Sequence, residues 1–291
     1  MKKSRHIYIY VLLRFFIFVF AIIPRGFALF LGNFIGIAVY KLSKEARMVS
    51  NKNIDYIFPH LGKNGNKRNF IIKNFAMIGE NLVDALRLTK FENEKLDKIV
   101  RIKNGKNIRK LFNRGKGLIV VTAHLGCWEL IPAYFSQKGY PINIITREVY
   151  DKNINKEINR IRKTFNVKIV DRTHAPIVAL KKLLRGEIVG ILMDQHAKRN
   201  SVSIDFLGRK AETAVGPAYF AMKTAASVIP IAIHRLPDKT HLIEVGEELK
   251  ITRTGNQEED ILENTRRCSK AIEHFIAKYP DEWVWFHKRW E

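Results

Sequence analysis

A histidine and a glutamate stand five positions apart in the segment Val121–Glu129, VTAHLGCWE. On one continuous helix that spacing is a rotation of about 140°, so His124 and Glu129 would not share a face. They can meet only if His124 lies in a turn before a helix, which Gly126 permits, and Glu129 in the first helical turns. A carboxylate bound to one imidazole nitrogen fixes the tautomer and leaves the other nitrogen to take a proton from a hydroxyl. The segment therefore predicts a general base with an orienting carboxylate; the alternative is a turn histidine and a glutamate that stabilises a helix N-terminus.

The elements that must position this pair alternate along the chain. We predict strands at 118–122, 142–146, 167–170, 188–193 and 228–233, and helices at 66–88, 128–138, 152–165, 176–185, 214–225 and 258–278. The last strand can continue as a hairpin to residue 245. Alternating strands and helices are typical of an α/β fold, with a mostly parallel sheet and helices on both faces.

Polar residues follow the predicted strands at the point where each one ends. In an open α/β sheet, ligands bind beyond the carboxyl ends of the strands. We therefore expect His124, Arg147 and Asp194 to face one site. Further charged or titratable residues follow the same strands or their neighbours: Asp171, Arg172, His196, His234 and Arg235.

Other catalytic chemistries lack their sequence signatures. The chain has no G-x-S-x-G elbow, no H-E-x-x-H zinc helix and no G-x-x-x-x-G-K-[ST] phosphate loop. Cys127 lies close to His124, but we interpret it as a small apolar residue on the core face of a helix rather than a nucleophile. The nine histidines do not have the spacing of a metal site, so we expect no metal and no other cofactor.

The N-terminal segment is strongly apolar. Residues 7–23 are interrupted only by Arg14, Pro24 and Arg25 then break the run, and residues 26–40 carry no charge. Basic residues flank the segment on both sides, which a single span cannot reconcile with the positive-inside tendency. We predict a membrane anchor at 1–42, followed by a catalytic domain at 43–291. A helical hairpin, a shallow re-entrant pair and a single kinked span stay open as geometries of the anchor.

The charge balance points to anionic partners. There are 51 Lys and Arg against 28 Asp and Glu, a formal net charge of +23. Such a field favours nucleic acid, an anionic membrane surface, or a phosphorylated or acidic substrate. Residues 101–116 hold seven basic residues and no acid. This cluster suits docking on a membrane surface or on an acidic carrier protein; the alternative is a solvated basic helix face. Nucleic-acid binding is the weaker alternative, because no helix-turn-helix spacing, RNP block or zinc pattern accompanies the charge.

Several blocks, in order along nearly the whole chain, resemble the bacterial lipid A biosynthesis acyltransferases. HLGCWE is similar to the H-x4-[DE] motif of that family. The other similar blocks are Arg47-x3-Asn51 with Phe58-Pro59, Thr146-Arg147-Glu148, Gly190–Gln195, Asp205–Thr213 and Tyr279–Trp290. The chain departs from the family at Lys210, where proline is frequent, and at His196–Lys198, where the family often has an acidic or glycine-containing stretch.

The resemblance implies a membrane-bound O-acyltransferase of lipopolysaccharide biosynthesis. Such enzymes transfer a fatty acyl chain directly from acyl carrier protein to a hydroxyl of a lipid A precursor, at the cytoplasmic face of the bacterial inner membrane. Related members acylate other glycolipids such as phosphatidylinositol mannosides, so that acceptor stays an alternative. In this scheme His124 is the base and Glu129 orients it. Arg147 or backbone amides stabilise the oxyanion, Asp194 orders Arg147 or the acceptor, and Arg209 contacts the headgroup.

Overall fold

The computed structural model describes residues 2–63, 65–91, 95–147 and 151–290. Glu148 of the Thr-Arg-Glu block lies outside these ranges. Seven strands form the main sheet in the order β1-β9-β8-β2-β5-β3-β4. Their bounds are β1 Val100–Lys103, β2 Leu118–Thr122, β3 Ile142–Thr146, β4 Lys168–Asp171, β5 Ile188–Leu192, β8 Ser227–Arg235 and β9 His241–Val245. A separate antiparallel hairpin pairs β6 (Ser201–Phe206) with β7 (Arg209–Ala214).

The sheet is parallel except where β9 meets β8. β2 pairs in parallel with both β5 and β8, and β3 pairs in parallel with β4 and β5. Because β9 runs antiparallel to β8 and β1 parallel to β9, β1 and β9 run against the other five strands. The prediction of a mostly parallel sheet is therefore confirmed, including the hairpin that ends at residue 245.

Helices cover both faces of the sheet. Their bounds are α1 Lys2–Ile22, α2 Arg25–Leu42, α3 Lys44–Ile57, α4 Pro59–Lys63, α5 Lys67–Leu86, α6 Gly105–Phe112, α7 Leu130–Gln137, α8 Lys152–Thr164, α9 Ala175–Leu184, α10 Gly216–Lys223 and α11 Gln257–Lys278. Alternate residues of β2 point to opposite faces: Leu118 and Val120 pack with α6, α7 and α8, while Ile119 and Val121 pack with α9, α10 and α11. The predicted strands and helices form with ends within two residues of expectation.

Helix α2 lies along α5 with almost no space between the two backbones. A Cβ atom on Gly36 would overlap the carbonyl oxygen of Phe75, and one on Gly79 would overlap that of Gly32. Such an approach needs residues without side chains at the crossing. Gly32 and Gly36 of α2 therefore contact a helix of the same chain.

Polar contacts continue along the same pair of helices. Arg25, at the start of α2, binds the buried carboxylate of Asp84 with two hydrogen bonds of 2.9 and 2.8 Å. One turn back along α5, Glu80 accepts a hydrogen bond from Asn33 at 3.0 Å. The guanidinium of the buried Arg87 donates to the carbonyls of Phe20 and Ile23 at the end of α1. Both N-terminal helices are thus held by buried polar side chains of α5 and the residue after it.

Within the described residues, α2 is the one helix long and apolar enough to cross a membrane, and Tyr10–Ile22 forms a shorter apolar helix. Both present aromatic side chains to the outside. Phe15 and Phe18 of α1 and Phe27, Phe30 and Phe34 of α2 are all more than half exposed. An exposed aromatic face of this size is typical of contact with lipid or with another protein.

We expect Gly36→Ala to destabilise the protein by about 1–3 kcal/mol, because the new methyl must displace the backbone of α5. Thermal unfolding in detergent measures the change. Gly26→Ala is the matched control in the same helix, since a Cβ there meets nothing within 4 Å. Equal stability of the two variants would contradict the tight α2–α5 contact.

Candidate active site

A sharp turn after β2 places His124 at the carboxyl edge of the sheet. Gly126 has φ of +58°, and a Cβ on it would overlap the carbonyl oxygen of Ile233 on β8. Only glycine fits this left-handed position so close to a neighbouring strand. The turn thereby ends β2 and leaves 22% of the His124 side-chain surface exposed to solvent.

The imidazole of His124 binds Asp194, which follows β5, the neighbour of β2. Nδ1 of His124 lies 2.9 Å from Oδ1 of Asp194, and the backbone N–H of His124 donates to Oδ2 at 2.9 Å. The Asp194 side chain is completely buried. Neighbouring parallel strands end at one edge, so residues 70 positions apart in sequence meet there.

A tryptophan from the end of the chain completes the surroundings of Asp194. The C-terminal strap, residues 280–290, passes beside the His124 turn, and Trp283 donates its indole N–H to Oδ2 of Asp194 at 2.8 Å. Burial opposes ionisation, but the charge of His124 and the hydrogen bonds from His124 and Trp283 outweigh it and lower the pKa of Asp194 to about 2. An ionised Asp194 keeps the proton of a neutral His124 ring on Nδ1. The lone pair of Nε2 is then available as a base.

Glu129 has a different partner from the one the sequence predicts. Its carboxylate forms a two-point ion pair with Arg162 of α8, with Arg162 Nε 3.0 Å from Oε2 and Nη2 2.6 Å from Oε1. Glu129 immediately precedes α7, so its side chain projects toward α8 rather than back to the turn. The carboxylate on the His124 ring is that of Asp194, and Glu129 joins α7 to α8.

A mostly apolar cavity lies between the sheet and α7. Every second residue of three neighbouring strands lines it: Val120 and Thr122 of β2, Ile142, Ile144 and Thr146 of β3, and Ile188, Gly190 and Leu192 of β5. Trp128, Glu129 and Arg162 border it as well. The lining extends from the first to the last residue of β3 and β5 and over the second half of β2. Its carboxyl-edge end lies next to the His124 turn.

The two predicted arginines lie at the same edge but do not contact the imidazole. Arg147 follows β3, is exposed, and forms no ion pair among the described residues. Arg209 begins β7 and stacks on Tyr56 of α3, with its guanidinium carbon 3.6 Å from the ring centroid. Arg162 and Tyr56 border this candidate site and were not singled out from the sequence; the Asn-Arg-Ile-Arg run of α8 was the available signal for Arg162. Trp283 belongs to the Tyr279–Trp290 block that the sequence analysis names, without its contact with Asp194.

The model of the family described as bacterial lipid A biosynthesis acyltransferase matches residues 1–291. The chain belongs to this family. It is similar to a lipid A biosynthesis lauroyltransferase of Escherichia coli K12, with 23% identity over 269 residues that cover 90% of this chain and 84% of that protein. It is also similar to a lipid A biosynthesis acyltransferase of Haemophilus influenzae (23% identity, 93% and 84% covered) and a phosphatidylinositol mannoside acyltransferase of Mycolicibacterium smegmatis (20% identity, 71% and 67% covered). The protein is thus an acyltransferase of glycolipid biosynthesis.

The basic cluster of the acyltransferase at 101–116 is spread along the sheet. Arg101 and Lys103 lie on the edge strand β1 and pair with Asp238 and Glu244. Lys106 lies in the first turn of α6, whereas Lys116 precedes β2 and so lies at the amino edge, away from His124. The cluster is therefore divided among the edge strand β1, helix α6 and the loop before β2.

Cys127 of the acyltransferase is part of the core. It is almost fully buried, its thiol donates to the carbonyl of Asn81 at 3.3 Å, and burial raises the pKa of the thiol well above its usual range. Burial likewise raises the pKa of Cys268 to about 12. Neither cysteine offers a thiolate at neutral pH.

We expect no cysteine of the folded acyltransferase to react with Ellman's reagent at pH 8 within minutes, and both to react after unfolding in guanidinium chloride. Absorbance of the released thiol counts the reactive groups. Rapid labelling of Cys127 in the folded protein would contradict its burial and reopen a covalent mechanism.

Proposed function

We propose that the protein transfers a fatty acyl chain from acyl carrier protein directly to a hydroxyl of a lipid A precursor, in lipopolysaccharide biosynthesis. The observation that carries the proposal is the His124 ring bound to the buried Asp194 at the carboxyl edge of the sheet. That arrangement leaves Nε2 as a base beside a cavity lined mostly by apolar side chains, in a chain of the lipid A acyltransferase family.

Nε2 of His124 takes the proton of the acceptor hydroxyl as its oxygen attacks the carbonyl carbon of the donor thioester. Asp194 stabilises the imidazolium that forms. The C–S bond then breaks, the imidazolium returns the proton to the leaving sulfur, and the products are an ester and the free thiol of the carrier. No protein nucleophile is needed, which agrees with the buried Cys127.

The negative charge that develops on the thioester oxygen needs donors at the turn. Backbone N–H groups near Gly126 and the exposed guanidinium of Arg147 are the candidates that this chain offers at the carboxyl edge. Arg147 stands two strands away from His124 in the sheet, so it reaches the reacting atoms only through its long side chain. Donors of this kind act by electrostatic stabilisation of the transition state.

The cavity between the sheet and α7 is the proposed acyl-chain site. Apolar side chains line it at the amino ends of β3 and β5, and its few polar groups lie at the end nearest the turn. Burial of alkyl carbons there gains about 0.8 kcal/mol for each methylene. The Glu129–Arg162 pair, at that polar end, holds α7 and α8 together around the chain.

The acceptor headgroup is proposed to bind at Arg209 and the surface of α3. The Tyr56 ring stacks on the Arg209 guanidinium and holds it flat. The ammonium nitrogen of Lys52 lies 5.9 Å from the centroid of the same ring. A guanidinium fixed in this way can bind a phosphate through two N–H groups. A lipid A precursor and a phosphatidylinositol mannoside both carry phosphate, so the second stays the alternative acceptor.

The N-terminal helices are proposed to attach the enzyme to the cytoplasmic face of the bacterial inner membrane. Arg25 and Asn33 of α2 are already bound to Asp84 and Glu80 of α5, while the phenylalanines face outward. A helix held in this way suits insertion into one leaflet with its aromatic face, as part of an anchor at 1–42 before the catalytic domain at 43–291. A shallow arrangement keeps His124 on the side where acyl carrier protein is found.

We expect His124→Ala and Asp194→Asn each to lower kcat by about 10²–10⁴, because both remove the functional base. Their double variant should be little worse than His124→Ala, since the two residues act as one unit. In the double variant of Glu129→Ala with His124→Ala, the two losses of kcat should multiply, because Glu129 acts on α7 and α8 and not on the ring. The assay measures acyl transfer from purified acyl carrier protein to a lipid A precursor, with mass spectrometry of the product.

Cys127→Ala, in the same turn, is the control and should retain most activity. Thermal unfolding and membrane sedimentation check that each variant is folded and attached. If Glu129→Ala and Asp194→Asn exchanged behaviours, the sequence-based pairing of His124 with Glu129 would be right. Product formed on a phosphatidylinositol mannoside but not on a lipid A precursor would replace the acceptor.

We expect Lys106→Glu with Arg109→Glu to raise KM for the acyl carrier protein donor about tenfold with little change in kcat, because surface charges mainly steer encounter. Steady-state kinetics at low and high salt measure this, and salt should reduce the difference.

Lys116→Glu with Arg185→Glu makes the same change of charge at the amino edge and is the matched control. An equal effect of the two pairs would assign the effect to net charge alone. Unchanged KM in both, together with equal use of acyl-coenzyme A, would overturn the carrier as donor.

A further inference from the structure

Two buried asparagines fix the path of the C-terminal strap. The side-chain amide of Asn74, on α5, donates to the carbonyls of Asp281 and Trp283 at 2.8 and 2.7 Å. That of Asn53, on α3, donates to the carbonyls of Trp285 and His287, both at 2.8 Å. Each amide thus binds two alternate carbonyls of the strap. A buried carbonyl without a donor is costly, so these contacts define where the strap can lie.

The strap is also joined to the turn that carries His124. The backbone N–H of Gly126 donates to the carbonyl of Glu282 at 3.2 Å, and Leu125 and Trp283 form an isolated antiparallel bridge. The carboxylate of Glu282 accepts the backbone N–H of Arg235 at 2.8 Å. These contacts with the His124 turn and with Arg235 therefore fix the position of Trp283 relative to the turn.

Aromatic rings pack around the Trp283 ring, and its N–H points at Asp194. The ring packs at right angles on Trp285, with centroids 4.7 Å apart, and against Phe206 and Trp290. Its N–H meets Oδ2 of Asp194, the oxygen that also accepts the backbone N–H of His124. Oδ2 thus has two donors, and Oδ1 remains for the imidazole.

We propose that Trp283 is a positioning residue for acyl transfer, whose indole N–H holds Oδ2 of Asp194 so that Oδ1 faces the ring of His124. This rests on the proposed function. The terminal torsion of an aspartate is broad and roughly two-fold, so packing alone fixes the carboxylate poorly. A charge-assisted hydrogen bond fixes it and also withdraws charge from the carboxylate.

The test compares Trp283→Phe with Trp285→Phe. Both tryptophans are completely buried, and each variant loses one indole hydrogen bond, to Asp194 for Trp283 and to the carbonyl of Pro280 for Trp285. We expect similar losses of thermal stability. Trp283→Phe should lower kcat about tenfold with KM nearly unchanged, because a hydrogen bond to a charged group is lost. Trp285→Phe should keep the wild-type kcat.

Titration of the His124 ring by NMR gives a readout that does not depend on activity. Without the indole N–H the Asp194 carboxylate is more basic, so the midpoint of the ring titration should move to higher pH in Trp283→Phe and stay unchanged in Trp285→Phe. The ring signal is needed because burial raises the pKa of Glu282 to about 7, and a rate profile alone could report that group. The signal also separates the two hypotheses: if the wild type transfers no acyl chain, the proposed function fails while the titration still tests the positioning.

If Trp283→Phe does not fold, the wild-type protein labelled with ¹⁵N in its indoles provides the measurement. The Trp283 indole proton should resonate downfield of that of Trp290, which donates at 3.2 Å to the uncharged carbonyl of Phe206. Equal shifts would overturn the proposal. So would a Trp283→Phe variant with wild-type kcat and His124 titration, or a Trp285→Phe variant that reproduces its losses.

Discussion

A buried carboxylate needs hydrogen-bond donors or a positive charge close by, because water cannot reach it. The buried carboxylate of Asp194 brings three parts of the chain together for this reason. Asp194 follows β5, while its donors come from the turn after β2 and from the C-terminal strap. Removal of any one donor leaves a buried charge with fewer partners, which costs more than an exposed hydrogen bond would. The requirement that stabilises the fold at this edge therefore also orients the base.

Helix α5 contacts both the N-terminal helices and the C-terminal strap. One side of it holds α2 through Asp84, Glu80 and the close approach at Gly79. The opposite side holds the strap through Asn74. A chain that begins at residue 43 would leave Asp84 and Glu80 without Arg25 and Asn33. The N-terminal helices and the rest of the chain, although distinct in sequence character, thus share a polar interface between α2 and α5.

The strands could be predicted because central parallel strands are buried on both faces and appear as short apolar runs. β1 and the β6–β7 hairpin were missed because they carry polar residues among the apolar ones instead of an apolar run. The sequence also brought His124 and Asp194 to one edge. It indicated Glu129 rather than Asp194 as the partner of the ring, because the spacing does not reveal where α7 begins or that Glu129 binds Arg162, 33 residues further along the chain. Similarly, the glycines of α2 do not reveal in sequence which helix they contact.

The two carboxylates near the turn differ in what balances their charge, and this separates their roles. Glu129 is neutralised by a two-point pair with Arg162, so the field that it exerts on the imidazole is largely cancelled. Among the described residues no Lys or Arg forms an ion pair with Asp194, so its charge acts on the imidazole in surroundings of low dielectric constant. The H-x4-E spacing accordingly places one residue at the turn and the other at the start of the next helix, where it borders the apolar cavity. The spacing describes how the His124 turn and the proposed acyl-chain site are joined, and the carboxylate on the imidazole follows the neighbouring strand.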